Sequence, residues 1–267
     1  MRALVASVVC VALTGMSARA AEPISWSGAY VGFNAGIDIG QNGIADGIAY
    51  SPPFAQLNVE HYNHVTVGGI FGGQIGYNWE ALSHMVLGIE ADWVYDDSEN
   101  LPACVATCLS TPPGPPFANY SISLTDRERL RWFGTVRPRL GYVTGDTLWY
   151  LTAGGAVSQV DVSLRQSIAV SGAPSPLTPS FVAMTPTHYN LGFTVGWGIE
   201  TRILTNWSLK AEYLYLDLGS VNDTFAVSQA GNTSGISGAV LTTNTNSHLH
   251  DHIFRVGANY RFWSWAP

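Results

Sequence analysis

Apolar and polar side chains alternate with a period of two in eight separate stretches of the chain. In the last, HIFRVGANYRF (His252 to Phe262), Phe254, Val256, Ala258, Tyr260 and Phe262 fall on one face, and Ile253, Arg255, Gly257, Asn259 and Arg261 on the other. Such alternation marks a β-strand with two unlike faces. The other seven are SGAYVGFNAGI, VGGIFGGQIGYNW, HMVLGIEADWVY, LRWFGTVRPRLGY, TLWYLTAGGAV, YNLGFTVGWGIET and WSLKAEYLYLDL. Each reaches the roughly 9–11 residues with which a tilted strand crosses a bilayer.

The links alternate as well. EALS, VTGD and RILTN are short, whereas four links are long: about Asp38 to Thr66, Asp96 to Arg129, Ser158 to His188 and Gly219 to Asp251. The long ones are rich in Pro, Ser, Thr, Asn and Gly. Short turns at one rim and long links at the other match bacterial outer-membrane barrels. DVSLRQSIAV, inside the third long link, also alternates, so strands are expected to project beyond a membrane there. The pattern predicts an all-β fold: an eight-stranded antiparallel up-and-down transmembrane β-barrel with short periplasmic turns and four long extracellular loops. A hairpin hidden in the fourth long link would raise the count to ten.

One face of these strands carries no charge. It includes Phe33, Phe71, Ile75, Leu87, Ile89, Leu130, Val136, Leu151, Phe193, Val195 and Leu209. Hydrocarbon demands this, because an Arg or Lys on the lipid face costs about 2–4 kcal/mol at the midplane. The other face mixes both charge signs with many glycines. A water-soluble sandwich would turn these charges outward; a barrel turns them inward. An eight-stranded bore is just wide enough for side chains to fill, and glycines make room there for long cations. Glu90, Asp92, Arg137, Arg139, Glu200, Lys210, Glu212, Arg255 and Arg261 are therefore expected as a lumen charge network. An unpartnered buried ion costs several kcal/mol, so the network is read as a salt-bridged plug in preference to a selectivity filter. Aromatic girdles are expected at the membrane interfaces: Trp79, Trp149 and Trp207 beside the short turns, Trp93, Trp132, Tyr189 and Phe254 near the long links, and Trp197 on the same face.

Composition narrows the class. Only 12% of the 267 residues are charged, against about 25% in ordinary soluble domains. A net charge of -7 argues against a nucleic-acid surface. MRALVASVVCVALTGMSARA reads as a signal peptide over 1–20, with Arg2, an apolar run and a small-x-small site at Ala18–Ala20. Residues 21–267 are then the barrel domain. No later run of eighteen or more apolar residues follows, so export leaves a soluble secreted protein or a barrel.

Cys104 and Cys108, in CVATC, are expected to close a small disulfide in an oxidising compartment, a metal pair being the alternative. His248, His250 and His252 alternate in SHLHDH. They could bind zinc or haem iron, with His61 and His64 as loop partners, but are read foremost as polar residues at the outer rim. Neither a Ser/His/acid nor a paired-carboxylate arrangement is apparent, and the glycines follow strand spacing rather than G-x-G-x-x-G before a helix. The chain is thus expected to be neither an enzyme nor a cofactor carrier.

SWSGAYVGFNAGIDIG, with its W-x-G-x-Y-x-G pattern, resembles the opening strand of small outer-membrane β-barrel proteins common in alphaproteobacteria. WSLKAEYLYLDLG and HIFRVGANYRF are similar to that family's last two strands. The resemblance implies an OmpA/OmpX-like eight-stranded barrel in the outer membrane of a Gram-negative bacterium, inserted by the assembly machinery that reads a C-terminal aromatic strand. Tyr260 and Phe262 match that signal, although this chain continues with WSWAP. Family members are described as surface antigens, envelope-stabilising proteins, porin-like proteins and occasionally haem binders. The expected function is a non-enzymatic integral outer-membrane protein with a packed polar lumen, serving envelope integrity and surface interactions. Its partners would be outer-membrane lipid, the assembly machinery, and a host or surface ligand at the loops. A narrow porin-like channel and a haem- or host-ligand-binding protein are the alternatives.

Overall fold

The alternating stretches form ten strands in a computed structural model: β1 (Gly28–Tyr50), β2 (Glu60–Leu82), β3 (Met85–Asp96), β4 (Ala103–Val105), β5 (Asn119–Thr144), β6 (Thr147–Ser171), β7 (Ser180–Met184), β8 (His188–Arg202), β9 (Trp207–Ser228) and β10 (Val240–Arg261). The structure describes the backbone of residues 25–50, 60–82, 84–97, 103–105, 119–171, 180–184, 187–228 and 240–262, and side chains chiefly within 25–40, 65–82, 84–97, 129–161, 187–220 and 248–262. The proposed signal peptide, Cys108 and the side chains of Cys104, His61 and His64 lie outside that set.

Eight long strands pair antiparallel in the ring β1-β2-β3-β5-β6-β8-β9-β10, and β10 returns to β1. Inside hydrocarbon no water satisfies an open edge, so only a closed ring leaves no orphan N–H or C=O. The short strands β4 and β7 add to β5 and β6 outside this ring.

The long links are shorter than the sequence suggests. β1 runs on to Tyr50 and β2 begins at Glu60, so much of the first link is strand. The fourth is mainly an extension of β9 and β10, paired out to Ser228 and Val240, and residues 229–239 lie outside the described set. The two additional strands fall in the second and third links instead. Once both faces of a strand meet water, segments such as VLTTNTNSHLH are polar on both sides, and the period of two that betrays a strand disappears.

Two irregularities re-aim side chains. The β5–β6 register shifts between Leu130 and Trp132. Leu130, expected on the lipid face, is consequently buried inside the ring, because an extra residue in one strand reverses the alternation. A second shift, at Leu249/His250, lies opposite Gly219, whose φ of 73° suits glycine. Gly145, at φ 60°, makes the tight turn from β5 to β6.

Outward positions are apolar and open: Ile75 is 62% exposed, Val256 63% and Leu151 64%. Inward positions are closed, Arg137 being 0% exposed. The burial pattern is that of a soluble protein turned inside out. Val136, midway along β5 and exposed, tests it: Val136→Arg should lower the urea-unfolding free energy in lipid vesicles by about 2–4 kcal/mol, whereas Asp146→Arg in the neighbouring turn should change it little.

Candidate functional site: the ion-paired bore

Inward residues on five strands, β3, β5, β8, β9 and β10, meet in the bore as a belt of ions. Arg137 reaches Glu90 at 2.7 Å, Asp92 at 2.6 Å and Glu212 at 3.2 Å. Arg139 pairs with Glu200 at 2.8 Å and Glu90 at 3.2 Å. Lys210 donates to both oxygens of Glu90, at 2.9 and 3.1 Å. Arg255 reaches Glu212 through Nε at 2.6 Å and Asp92 through Nη2 at 2.8 Å. Four cations thus meet four carboxylates, every one buried.

Neutral donors complete the carboxylates. Tyr30 donates to Glu90 at 2.8 Å, Tyr150 to Glu212 at 3.1 Å, Thr135 to Asp92 at 2.9 Å and Ser208 to Glu200 at 2.5 Å. The Arg139 guanidinium also lies 4.0 Å from the Tyr150 ring centroid, a cation–π contact strengthened by desolvation. Glycines provide the space: a Cβ at Gly76 would overlap the Tyr30 ring, and one at Gly154 would overlap the β5 backbone carrying Arg137. Beside the belt runs a relay of amides, Asn34 to Gln74 at 2.9 Å, Gln74 to Asn259 at 2.6 Å and Asn259 to Glu200 at 2.9 Å.

Arg261, grouped by sequence with the lumen charges, sits apart from the belt. It donates to the Ser25 carbonyl at 3.0 Å and lies 4.7 Å from the Trp26 ring. Arg202 approaches the same ring at 4.2 Å. Trp26, 1% exposed, fills the short-turn mouth of the bore, packing with Val86, Leu148 and Tyr150. Its segment is clipped to β2: Ser25 Oγ and the Trp26 amide both donate to Glu80, at 2.7 and 3.0 Å, and the Glu80 amide donates to Ser27 Oγ at 2.9 Å. Sequence reading missed Trp26, Tyr30 and Tyr150 as bore residues. The W-x-G-x-Y-x-G spacing held the signal for the first two, since Trp26, Gly28, Tyr30 and Gly32 share one parity.

The outer half of the bore departs from the expected polar lumen. Ile70, Val94, Phe133, Leu214, Leu216 and Ile253 form a buried apolar cluster there. In YLYLDL both faces are apolar, so the alternation that identifies inward residues elsewhere is masked.

The remaining sequence candidates lie on the outside. Trp79, Trp93, Trp149, Trp197 and Trp207 are exposed. Trp93 stacks on Trp132 at 4.3 Å, and Trp132 donates to Gln159 at 2.7 Å. Trp197 stands in mid-β8 beside Tyr213, away from the strand ends. Tyr260 packs edge-on against Trp207 and Phe262, at 5.2 and 5.4 Å. His248, His250 and His252 share the outward face with Tyr213 and Tyr215: His248 and His250 are 5.9 Å apart, and His252 bonds the Tyr213 hydroxyl at 2.8 Å. Among the described residues, no three Asp, Glu, His or Cys side chains converge as a closed metal site.

Residues 8–262 match a family described as the outer membrane protein beta-barrel domain. The chain is 30% identical over 268 residues to the 31 kDa outer-membrane immunogenic protein of Brucella melitensis biotype 1, covering 97% of this chain and 93% of that one. It is 29% identical over 152 residues to the 22 kDa outer membrane protein of Rhizobium leguminosarum, covering 56% and 54%. Among solved structures it is similar to OprG from Pseudomonas aeruginosa, with a TM-score of 0.37 and 7% identity over 88% of this chain and 97% of that one. For Neisserial surface protein A the TM-score is 0.30, with 10% identity over 86% and 99%.

Removing one partner from a buried ion pair strands the others. Glu212→Ala leaves Arg255, Arg137 and Tyr150 short of an acceptor, and should cost about 3–5 kcal/mol of unfolding free energy in vesicles. Arg131→Ala breaks the half-exposed pair with Asp161 at 2.6 Å and should cost no more than about 1 kcal/mol.

Proposed function

Because this chain belongs to the outer membrane protein β-barrel family, we propose that it serves as a closed, non-enzymatic wall element of the envelope. It is an integral outer-membrane protein, and it resembles surface antigens. In this reading the barrel contributes to envelope integrity, and its projecting strands and outer links carry surface interactions. The apolar belt is its contact with lipid, and the aromatic end of β10, Tyr260 and Phe262, is the feature that the assembly machinery would engage.

The observation that carries this reading is the electrically balanced belt across the bore. A permeating ion would have to part carboxylates from cations that are already desolvated and hydrogen-bonded, and separating such a pair costs about 3–5 kcal/mol. Trp26 adds a second obstruction at the short-turn mouth. The name of the Brucella relative, an immunogenic protein, supports surface display of the outer links as antigens.

Planar-bilayer recording tests the proposal. Purified wild-type protein should insert without steady ohmic openings. Steady openings whose conductance or ion preference changes on Arg137→Ala would replace this reading with a narrow porin-like channel.

A further inference from the structure

Two cations stand outside the balance of the belt, at the end where the short turns lie. Arg202 closes β8 and Arg261 closes β10. Their guanidinium groups lie 4.2 and 4.7 Å from the Trp26 ring, so three side chains share one mouth. Arg261 is 9% exposed and donates through Nη1 to the Ser25 carbonyl at 3.0 Å. Its Nε, and the Nε and Nη2 of Arg202, are buried with no acceptor among the described residues.

The acids at this end are engaged elsewhere. Glu200 accepts from Arg139, Ser208 and Asn259. Glu80 Oε2 takes the Ser25 hydroxyl and the Trp26 amide, and Asp146 meets the Arg202 amide through its backbone carbonyl at 3.0 Å. Each belt cation touches at least one carboxylate. Among the described residues, neither mouth cation forms an ion pair with one; their contacts are the Trp26 ring and the Ser25 carbonyl.

A buried N–H left without an acceptor costs about 1–3 kcal/mol, and more when it carries charge. A guanidinium presents its N–H groups as a flat fork that fits the paired oxygens of a carboxylate or phosphate. Packing against the indole limits how each fork can turn, and the indole segment is itself clipped to Glu80. This mouth opens on the periplasm, where the short turns of outer-membrane barrels lie. We propose that it binds one oxyanion, a carboxylate or phosphate group presented from the periplasm, on Arg202 and Arg261 beside Trp26. Lipid headgroups at this rim meet the outward residues instead, Trp207 and Phe262 among them. The closed-wall reading rests on conductance and is independent of this site.

Isothermal titration calorimetry tests it on refolded full-length protein, in an uncharged maltoside detergent at neutral pH and low salt. The probes are inorganic phosphate and acetyl-alanyl-alanine, whose single charge is a carboxylate. Wild type should bind at least one of them at one site per chain, and the tighter probe identifies the source. Arg202→Gln and Arg261→Gln should each weaken binding about tenfold or more, the loss of a charge-assisted hydrogen bond, while refolding to the same circular dichroism. Arg131→Ala, whose parent pairs with Asp161 away from this mouth, should bind as wild type does. Neither binding heat nor a rise in unfolding temperature with either probe would overturn the proposal. Equal affinity in wild type and both glutamine variants would place the anion elsewhere, and equal affinity for the uncharged acetyl-alanyl-alanine amide would assign binding to the indole instead of the charges. Either result overturns it as well.

Discussion

Eight charges meeting across the middle of the bore depend on one another for their existence there. Glu90 alone receives Lys210, Arg137, Arg139 and the Tyr30 hydroxyl. A buried pair gains little stability over an apolar filling of similar shape, but a broken one is expensive. The belt therefore acts chiefly by excluding alternatives. Slipping one strand by one residue turns each of its side chains to the opposite face. For β5 that would send Arg137 and Arg139 into lipid, strip Glu200 of its cation and leave four carboxylates facing only Lys210 and Arg255. Register and charge balance are the same constraint seen from two sides.

The rest of the bore is arranged around that constraint. Amide side chains link β1, β2, β10 and β8 beside the belt, aliphatic side chains fill the outer half, and an indole held by two guanidinium groups fills the short-turn mouth. The bore is therefore a stack of unlike fillings, each satisfied by its own kind of contact. Close packing in an eight-stranded ring leaves every filling in reach of several strands, so each also fixes the spacing of its neighbours.

Much of this was legible in the sequence wherever the two faces of a strand differ in chemistry. The alternation in LRWFGTVRPRLGY and HIFRVGANYRF sorts Arg137, Arg139 and Arg255 from Val136, Leu140 and Val256 without further information. It fails where the faces become alike. Leu214 and Leu216 were invisible as bore residues because Tyr213 and Tyr215 beside them are apolar too. The outer part of β10 reads as a loop because both its faces are largely polar. Leu130 was misplaced by a bulge, which follows from the local strand pairing and leaves no mark in the hydrophobic pattern. Arg261 has the parity of the belt but lies at the mouth, because parity gives the face and not the depth. Which carboxylate takes which guanidinium depends on strand stagger, a property of the closed ring alone.

The first and last strands are neighbours, with Tyr30 opposite Arg261 and the two chain ends tied by the bond from Arg261 to the Ser25 carbonyl. Completion of the cylinder thus waits for the final stretch of polypeptide, and no partial length is a smaller version of the whole. Trimming the tail would strip two strands of a partner at once, on β1 and on β9, and expose both to hydrocarbon. A nick in an outer link, by contrast, would leave the circumference intact.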